Sequence, residues 1–433
     1  MAKITFLGAG STIFAKNVLG DCMMVPALQG FEIALFDINE ERLRDSEQML
    51  NNMKKNLGST VKIVSYTNRK DALRDAKYVF NAIQVGGYEP STVIDFEIPK
   101  KYGLRQTIAD TIGIGGIFRS LRTIPVMMDF ARDMEEVCPD ALFLNYTNPM
   151  ATLTGSMLRY SSIKTVGLCH SVQVCANDLL KGLDMPTDNV QWKIAGINHM
   201  AWLLDISRHG EDLYPEIKKR ALEKQQTKHD DMVRFELMSR FGYYITESSE
   251  HNAEYHPYFI KNKYPELIDR FNIPLDEYLR RCIQQIADWE KMRVDLVNDG
   301  NLTHERSNEY GSRILEAMET NIPYKIGGNA LNTGGLISNL PNNAVVEVPC
   351  LVDASGVTPT YVGDLPEQLA ALNRTNIGTQ LLTIEAAMTG KKEHIYQAAL
   401  LDPHTAAELS IDDIVAMCDE LIEAHGDWLP KFS

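Results

Sequence analysis

A chain of 433 residues is long enough for two lobes, each with a substantial core. With 44% hydrophobic and 23% charged residues it falls among ordinary globular proteins, which excludes a disordered or fibrous chain. The formal net charge of −15 argues against a nucleic-acid binder, which needs a cationic footprint on phosphate, and against docking to an anionic membrane surface.

In chain order, the first part alternates strand-like and helix-like segments. Strands are predicted at Lys3–Leu7, Glu32–Phe36, Val61–Val64, Tyr78–Val85, Ala141–Asn145 and Lys164–Leu168. Between them, Glu40–Leu57 has an acidic start and a basic end that match a helix dipole, and Gly115–Val137 reads as a long helix. After about Gly196 the alternation loosens into helical patterns at Tyr214–Phe241, Leu275–Val297, Glu305–Thr320 and Leu365–Thr389, with a strand-like Ala344–Val348 among them. The expected fold is α/β: an N-terminal Rossmann-type doubly wound sheet over residues 1–195, and a closely packed, mostly helical α+β lobe over 196–433. The apolar start breaks at Gly8 and reads on as strand, turn and helix rather than as a signal segment, and no run approaches the roughly 20 residues of a membrane span. The seven cysteines (22, 138, 169, 175, 282, 350 and 418) are scattered without a C-x-x-C pair, which fits a reducing cytoplasm.

The most informative local segment is Ile4–Ile13, where Gly8 and Gly10 follow an apolar strand directly. Gly8 permits a tight turn, and Gly10 lets the backbone approach a pyrophosphate at the next helix N-terminus, with Ser11 and Thr12 beside it. Ile13 stands where a third glycine is usual, so close helix–strand packing must be met differently there. Asp37 closes the second strand, where a carboxylate can bond both ribose hydroxyls of an adenosine and would repel a 2′-phosphate; this favours NAD over NADP. The competing role for Asp37 is an N-cap of the helix that follows.

Cys169 and His170 stand just beyond the strand at 164–168, and His199 follows a similar segment thirty residues later. A thiolate and an imidazole at strand ends can hold one divalent ion and leave positions open for substrate oxygens. From spacing alone, a buried core cysteine and a satisfied core histidine remain the simpler account. Such a donor pair suits zinc or iron better than manganese.

These segments resemble those of the family 4 glycoside hydrolases, the NAD- and metal-dependent group, in particular its α-galactosidase branch. The resemblance is carried by Ile4–Asp21, Gly86–Pro90, Gly115–Arg122, Asn145–Met150, Gly167–Ser171, Ala195–Met200, Glu247–Tyr255, Val346–Ala354 and Asp402–Ala406, nearly the whole chain. It implies hydrolysis of a melibiose-like α-galactoside by oxidation at carbon 3 with NAD⁺, loss of the carbon-2 proton aided by Mn²⁺ or another divalent metal, expulsion of the carbon-1 group, addition of water and return of the hydride. By position it makes Cys169 and His199 the metal ligands and Asn148 a substrate-binding residue. His170 then becomes an acid for the leaving group or an orienting residue. Tyr255 and Glu250 are the candidates for the carbon-2 base. Arg119 and Arg122 share one helix face, and Arg119 is a candidate substrate contact, although solvated surface arginines are the default for such a pair. Family members are commonly homodimers or homotetramers. A hydroxy-acid dehydrogenase would share the nucleotide site but leave Cys169 and His199 without a purpose, and a non-catalytic NAD sensor would need no metal. An α-galacturonidase, α-glucuronidase or phospho-α-glycosidase of the same family would need a fixed basic clamp, and no cluster of Lys and Arg near the motifs supplies one.

Overall fold

The computed structural model describes residues 2–433. Six parallel strands, β1 (Lys3–Leu7), β2 (Glu32–Phe36), β3 (Lys62–Tyr66), β4 (Ala76–Asn81), β5 (Leu142–Asn145) and β6 (Lys164–Gly167), lie in the order β3-β2-β1-β4-β5-β6. This is the doubly wound order, whose switch point between β1 and β4 opens a crevice at the strands' carboxyl ends. The strands are apolar because helices cover both faces: Ile4, Phe6, Leu7, Val79, Phe80 and Phe143 are fully buried. The helix Glu40–Leu57 shows how local sequence sets an element. Asn39 accepts the Arg42 amide as N-cap, Glu40 and Glu41 occupy the first turn, Lys54 and Lys55 the last, and Gly58 ends it at φ 65°.

The remaining strands extend the same sheet. They are β7 (Val190–Ile197), β8 (Met200–Arg208), β9 (Glu211–Asp212), β10 (Tyr244–Ile245), β11 (Tyr324–Leu331), β12 (Val345–Asp353) and β13 (Gly356–Pro359). From β6 the order runs on through β11, β12, β7, β8 and β10, all antiparallel. The second half is therefore welded to the first through a strand ladder, and position 195/196 falls inside β7. Helices Gly113–Val137, Met150–Tyr160 and Glu367–Thr389 pack against one another over the join. The pattern at 214–241 divides into Tyr214–Lys224 and Met232–Phe241. The pattern at 305–320 shortens to Gly311–Thr320, because Asp21 accepts from the Ser307 amide and hydroxyl and bonds His304, holding the preceding residues in a loop. No helix among the described residues is long and apolar enough to cross a membrane.

Candidate active site

The nucleotide cradle is built at the ends of β1 and β2. Gly8 sits at φ 88°, and a Cβ there would lie 2.5 Å from the Ala82 carbonyl oxygen. A Cβ on Gly10 would lie 2.7 Å from Asp37 Oδ2, the oxygen that accepts the Gly10 amide at 2.7 Å. The other oxygen of Asp37 accepts from the Asn39 amide at 2.8 Å. Asn39, not Asp37, is thus the cap of the following helix, and the carboxylate braces the glycine turn. Thr12 is buried, while Ser11 has a buried hydroxyl oxygen without a partner. Ile38, beyond Asp37, is 92% exposed. An unpartnered hydroxyl at the turn, a carboxylate at the end of β2 and a bare apolar side chain beside it are the features that a phosphate, a ribose and an adenine would use. The residues fit a dinucleotide. Ile13 is 43% exposed, so its side chain faces away from the sheet and no third glycine is needed.

The second centre is assembled by the sheet. Gly167 (β6), Asn329 (β11), Glu347 (β12) and Gly196 (β7) form one transverse row of register partners. Cys169 lies two residues beyond one end of this row and His199 three beyond the other, in the tight β7–β8 turn. Glu247 follows β10. Single donor atoms of Cys169, His199 and Glu247 lie within 4.8 Å of one another, with His199 Nε2 at 3.3 Å from Glu247 Oε2. A sulfur, a nitrogen and an oxygen donor at such separations fit a divalent ion. The core-cysteine and core-histidine account explains their burial but not this convergence.

Tyr255, 1% exposed, places its hydroxyl 3.1 Å from His199 Nδ1, so it fixes the imidazole from behind and leaves Nε2 toward the cluster. Burial, then the nearby Asp110, Glu254 and Glu247 carboxylates, pushes its pKa well above the usual 10. Glu250 is not brought to the cluster. Its carboxylate pairs with Arg281 at 2.5 Å and lines a separate open cavity of about 660 Å³ with Asp269 and Glu277. A helical neighbour, His251, reaches inward instead: Nδ1 bonds Ser248 Oγ at 2.7 Å, and Nε2 lies 3.8 Å from Asp110 Oδ1. Burial opposes the charge on Asp110, but His251, Arg119 and His199 outweigh it and keep this carboxyl well below its ordinary range.

His170 is half exposed, with Nε2 2.6 Å from Glu309 Oε2. Burial works against the imidazolium, yet the Glu309 carboxylate outweighs it and raises the His170 pKa. Phe14, Tyr146 and Tyr310 surround the ring. Tyr310 also donates to the Cys169 carbonyl at 3.0 Å, tying the loop after β6 to the same segment as Glu309. Asn148, before a cis bond to Pro149, has a buried Oδ1 without a partner. Arg119 is 8% exposed and donates to the Asn148 carbonyl and the Tyr278 hydroxyl, both at 3.3 Å. The expected surface arginines are both buried. Arg122 is spent on a paired contact with Asp95, which also bonds His425. Glu347, behind the cluster, accepts from Asn329 Nδ2 at 2.9 Å, and burial pushes its pKa up to about 7. Sequence reasoning missed Asp110, His251, Glu309 and Glu347 as site residues. Glu347 carried a signal, being an acid set among valines inside an apolar strand.

A glycine turn at the switch point and a sulfur–nitrogen–oxygen cluster at the far end of the same sheet define a Rossmann-type fold with donors suited to a dinucleotide and a divalent ion. The model of the family 4 glycosyl hydrolases matches residues 3–185, and that of their C-terminal domain matches residues 194–405. The chain belongs to family 4 of the glycosyl hydrolases. It is 71% identical to an alpha-galactosidase of Bacillus subtilis, over 100% of both chains. It is 34% identical to an alpha-galactosidase of Rhizobium meliloti, over 100% of this chain and 90% of that one. A solved 6-phospho-alpha-glucosidase from gut microorganisms, in complex with NAD and Mn²⁺, shares its fold at a TM-score of 0.82 and 20% identity, over 100% of this chain and 99% of the other.

Proposed function

We propose that the chain is an α-galactosidase that hydrolyses melibiose-like α-galactosides with a resident NAD and a divalent ion, Mn²⁺ by the likeness in fold. The observation that carries this is the convergence of Cys169 and His199 at one end of a nucleotide crevice. Full-length identity of 71% to an alpha-galactosidase supports the sugar. When bound, NAD⁺ supplies a reversible hydride acceptor for carbon 3 of the sugar, and the ion supplies a Lewis acid for the charge that develops as carbon 2 loses its proton.

The residues divide the remaining work. Asp37, Gly8, Gly10, Ser11 and Thr12 would hold the dinucleotide, and Cys169 and His199 the ion. Asn148 Oδ1, buried without a partner, would accept from a sugar hydroxyl, and Arg119, bonded to the Asn148 carbonyl, would stand beside it. His170, held by Glu309, gives its proton to the departing oxygen. Tyr255 acts through the His199 imidazole, which it orients. Glu250, committed to Arg281, drops out of the chemistry. A uronide or phosphate would call for a bidentate basic clamp, but Arg122 is consumed by Asp95 and Arg119 by two neutral oxygens. All seven cysteines are free and buried, which supports a reducing cytoplasmic setting. The helix Glu277–Asn298 exposes Ile283, Ile286, Met292 and Val294, which supports an assembly of identical subunits.

Aryl α-galactoside, α-galacturonide and a phosphorylated α-glycoside offered to the purified protein with NAD⁺, Mn²⁺ and a reducing thiol test the reading. Cleavage of the galactoside, dependent on both additions and without net NADH, is expected. Preference for either charged glycoside, or NADH accumulating with product, would overturn it.

A further inference from the structure

We infer that Glu247 is a third protein ligand of the divalent ion, so that this chain grips the metal through sulfur, nitrogen and oxygen rather than through Cys169 and His199 alone. The inference rests on the metal-dependent reading above and concerns only who holds the ion.

Four observations carry it. The Glu247 carboxylate is the only acid whose oxygen joins the Cys169 and His199 donors within 4.8 Å among the described residues. Its Oε2 lies 3.3 Å from His199 Nε2. Two donors at right angles on an ion with bonds of roughly 2.1 Å stand about 3 Å apart, so this pair already has the spacing of neighbouring ligands. The two carboxylate oxygens are used differently: Oε1 accepts the Ser248 amide at 3.2 Å and faces His251 Nδ1 at 3.5 Å, leaving Oε2 on the cluster side. On the opposite side of the imidazole, Tyr255 occupies Nδ1, as expected of a ligating histidine whose second nitrogen is fixed by a partner.

The backbone points the same way. His199 and Glu247 hold φ of 64° and 63°, a left-handed conformation that residues with a Cβ adopt at a cost. Such conformations persist where the surroundings impose them, and here they aim two donors at one point. The donor set also resolves a mismatch in chemistry. Thiolate and imidazole alone favour zinc, whereas an added carboxylate oxygen moves the preference toward harder ions such as Mn²⁺. Three protein donors still leave positions open for substrate oxygens. The competing role for Glu247 is proton abstraction from carbon 2, which would not alter ion affinity in the absence of sugar.

Chelator-stripped protein titrated with Mn²⁺ alone, with bound ion read from the loss of the free-ion paramagnetic resonance signal, separates these roles. E247Q is expected to weaken Mn²⁺ binding by roughly 10- to 100-fold and Zn²⁺ binding by less, with E247D between the two and NAD⁺ binding unchanged. If E247Q binds Mn²⁺ as tightly as the unaltered chain, the ligand assignment is wrong while the metal-dependent reading stands. If the unaltered chain binds no Mn²⁺, the metal-dependent reading itself fails. Should E247Q not fold, carbodiimide labelling of Glu247 in the unaltered chain gives the answer: protection by Mn²⁺ supports the assignment, and equal labelling with and without the ion overturns it.

Discussion

The cradle and the cluster solve the problem of placing a few atoms in opposite ways. The cradle is local: Gly8, Gly10, Ser11 and Asp37 span 30 residues, and its geometry follows from one strand, one turn and the end of the next strand. The cluster is global: Cys169, His199 and Glu247 sit on separate elements, and only the row Gly167–Asn329–Glu347–Gly196 brings the first two together. A local site tolerates change elsewhere in the fold, whereas a site assembled by strand pairing depends on the whole sheet. Variants in the two regions should therefore fail differently.

The largest effect is expected at the cluster. C169S should lower kcat/KM by about 10³-fold or more, because it removes the sulfur proposed to hold the ion, while NAD⁺ affinity measured by fluorescence stays the same. A C169S protein that loses NAD⁺ binding as well would erase the separation between the two regions. In the cradle, G10A places a methyl 2.7 Å from Asp37 Oδ2. NAD⁺ affinity should fall about 10- to 100-fold, with Mn²⁺ affinity retained.

A third variant probes the link between them, since Glu309 lies in the segment that Asp21 anchors beneath the cradle. On the proposed role of His170 as the acid, E309Q should lower kcat for melibiose about tenfold and leave kcat for an aryl galactoside nearly unchanged, because only the poor leaving group would need its proton. Equal losses on both substrates would reduce Glu309 to a structural part.

The smallest effect is one of stability. The Glu347 pKa is raised from 4.5 to about 7 by burial, so the folded chain keeps a proton that the unfolded chain has already released. Its contribution is complete below pH 4.5 and is lost as pH rises to about 7. Denaturant unfolding of the apoprotein should show E347Q, which does not titrate, flatter than the unaltered chain across this window by about 2 kcal/mol or less. Parallel pH profiles would remove Glu347 from the account.

The same contrast governs what the sequence revealed. The parallel half was legible because buried strands are short apolar runs and the turn after β1 carries its own glycines. Of the strand Val190–Ile197 only the end before His199 was read from the sequence, since Gln191 and Lys193 interrupt its apolar residues and its partners lie at β8 and β12. Asn148, Cys169 and His199 became legible through the family's motifs, not through spacing. Glu250 and Glu247 are three residues apart in one acidic segment, and only the folded chain shows that the first pairs with Arg281 while the second turns to the cluster. Arg281 comes from the helix Glu277–Asn298, 31 residues further along the chain, a pairing that no local pattern records.

The joint use of cradle and cluster on one sugar is tested most directly by turnover of an aryl α-galactoside in heavy water. Galactose carrying deuterium at carbon 2 is expected, formed only while NAD⁺ and Mn²⁺ are present. Cleavage that persists after complete removal of NAD, or product without deuterium at carbon 2, would contradict it.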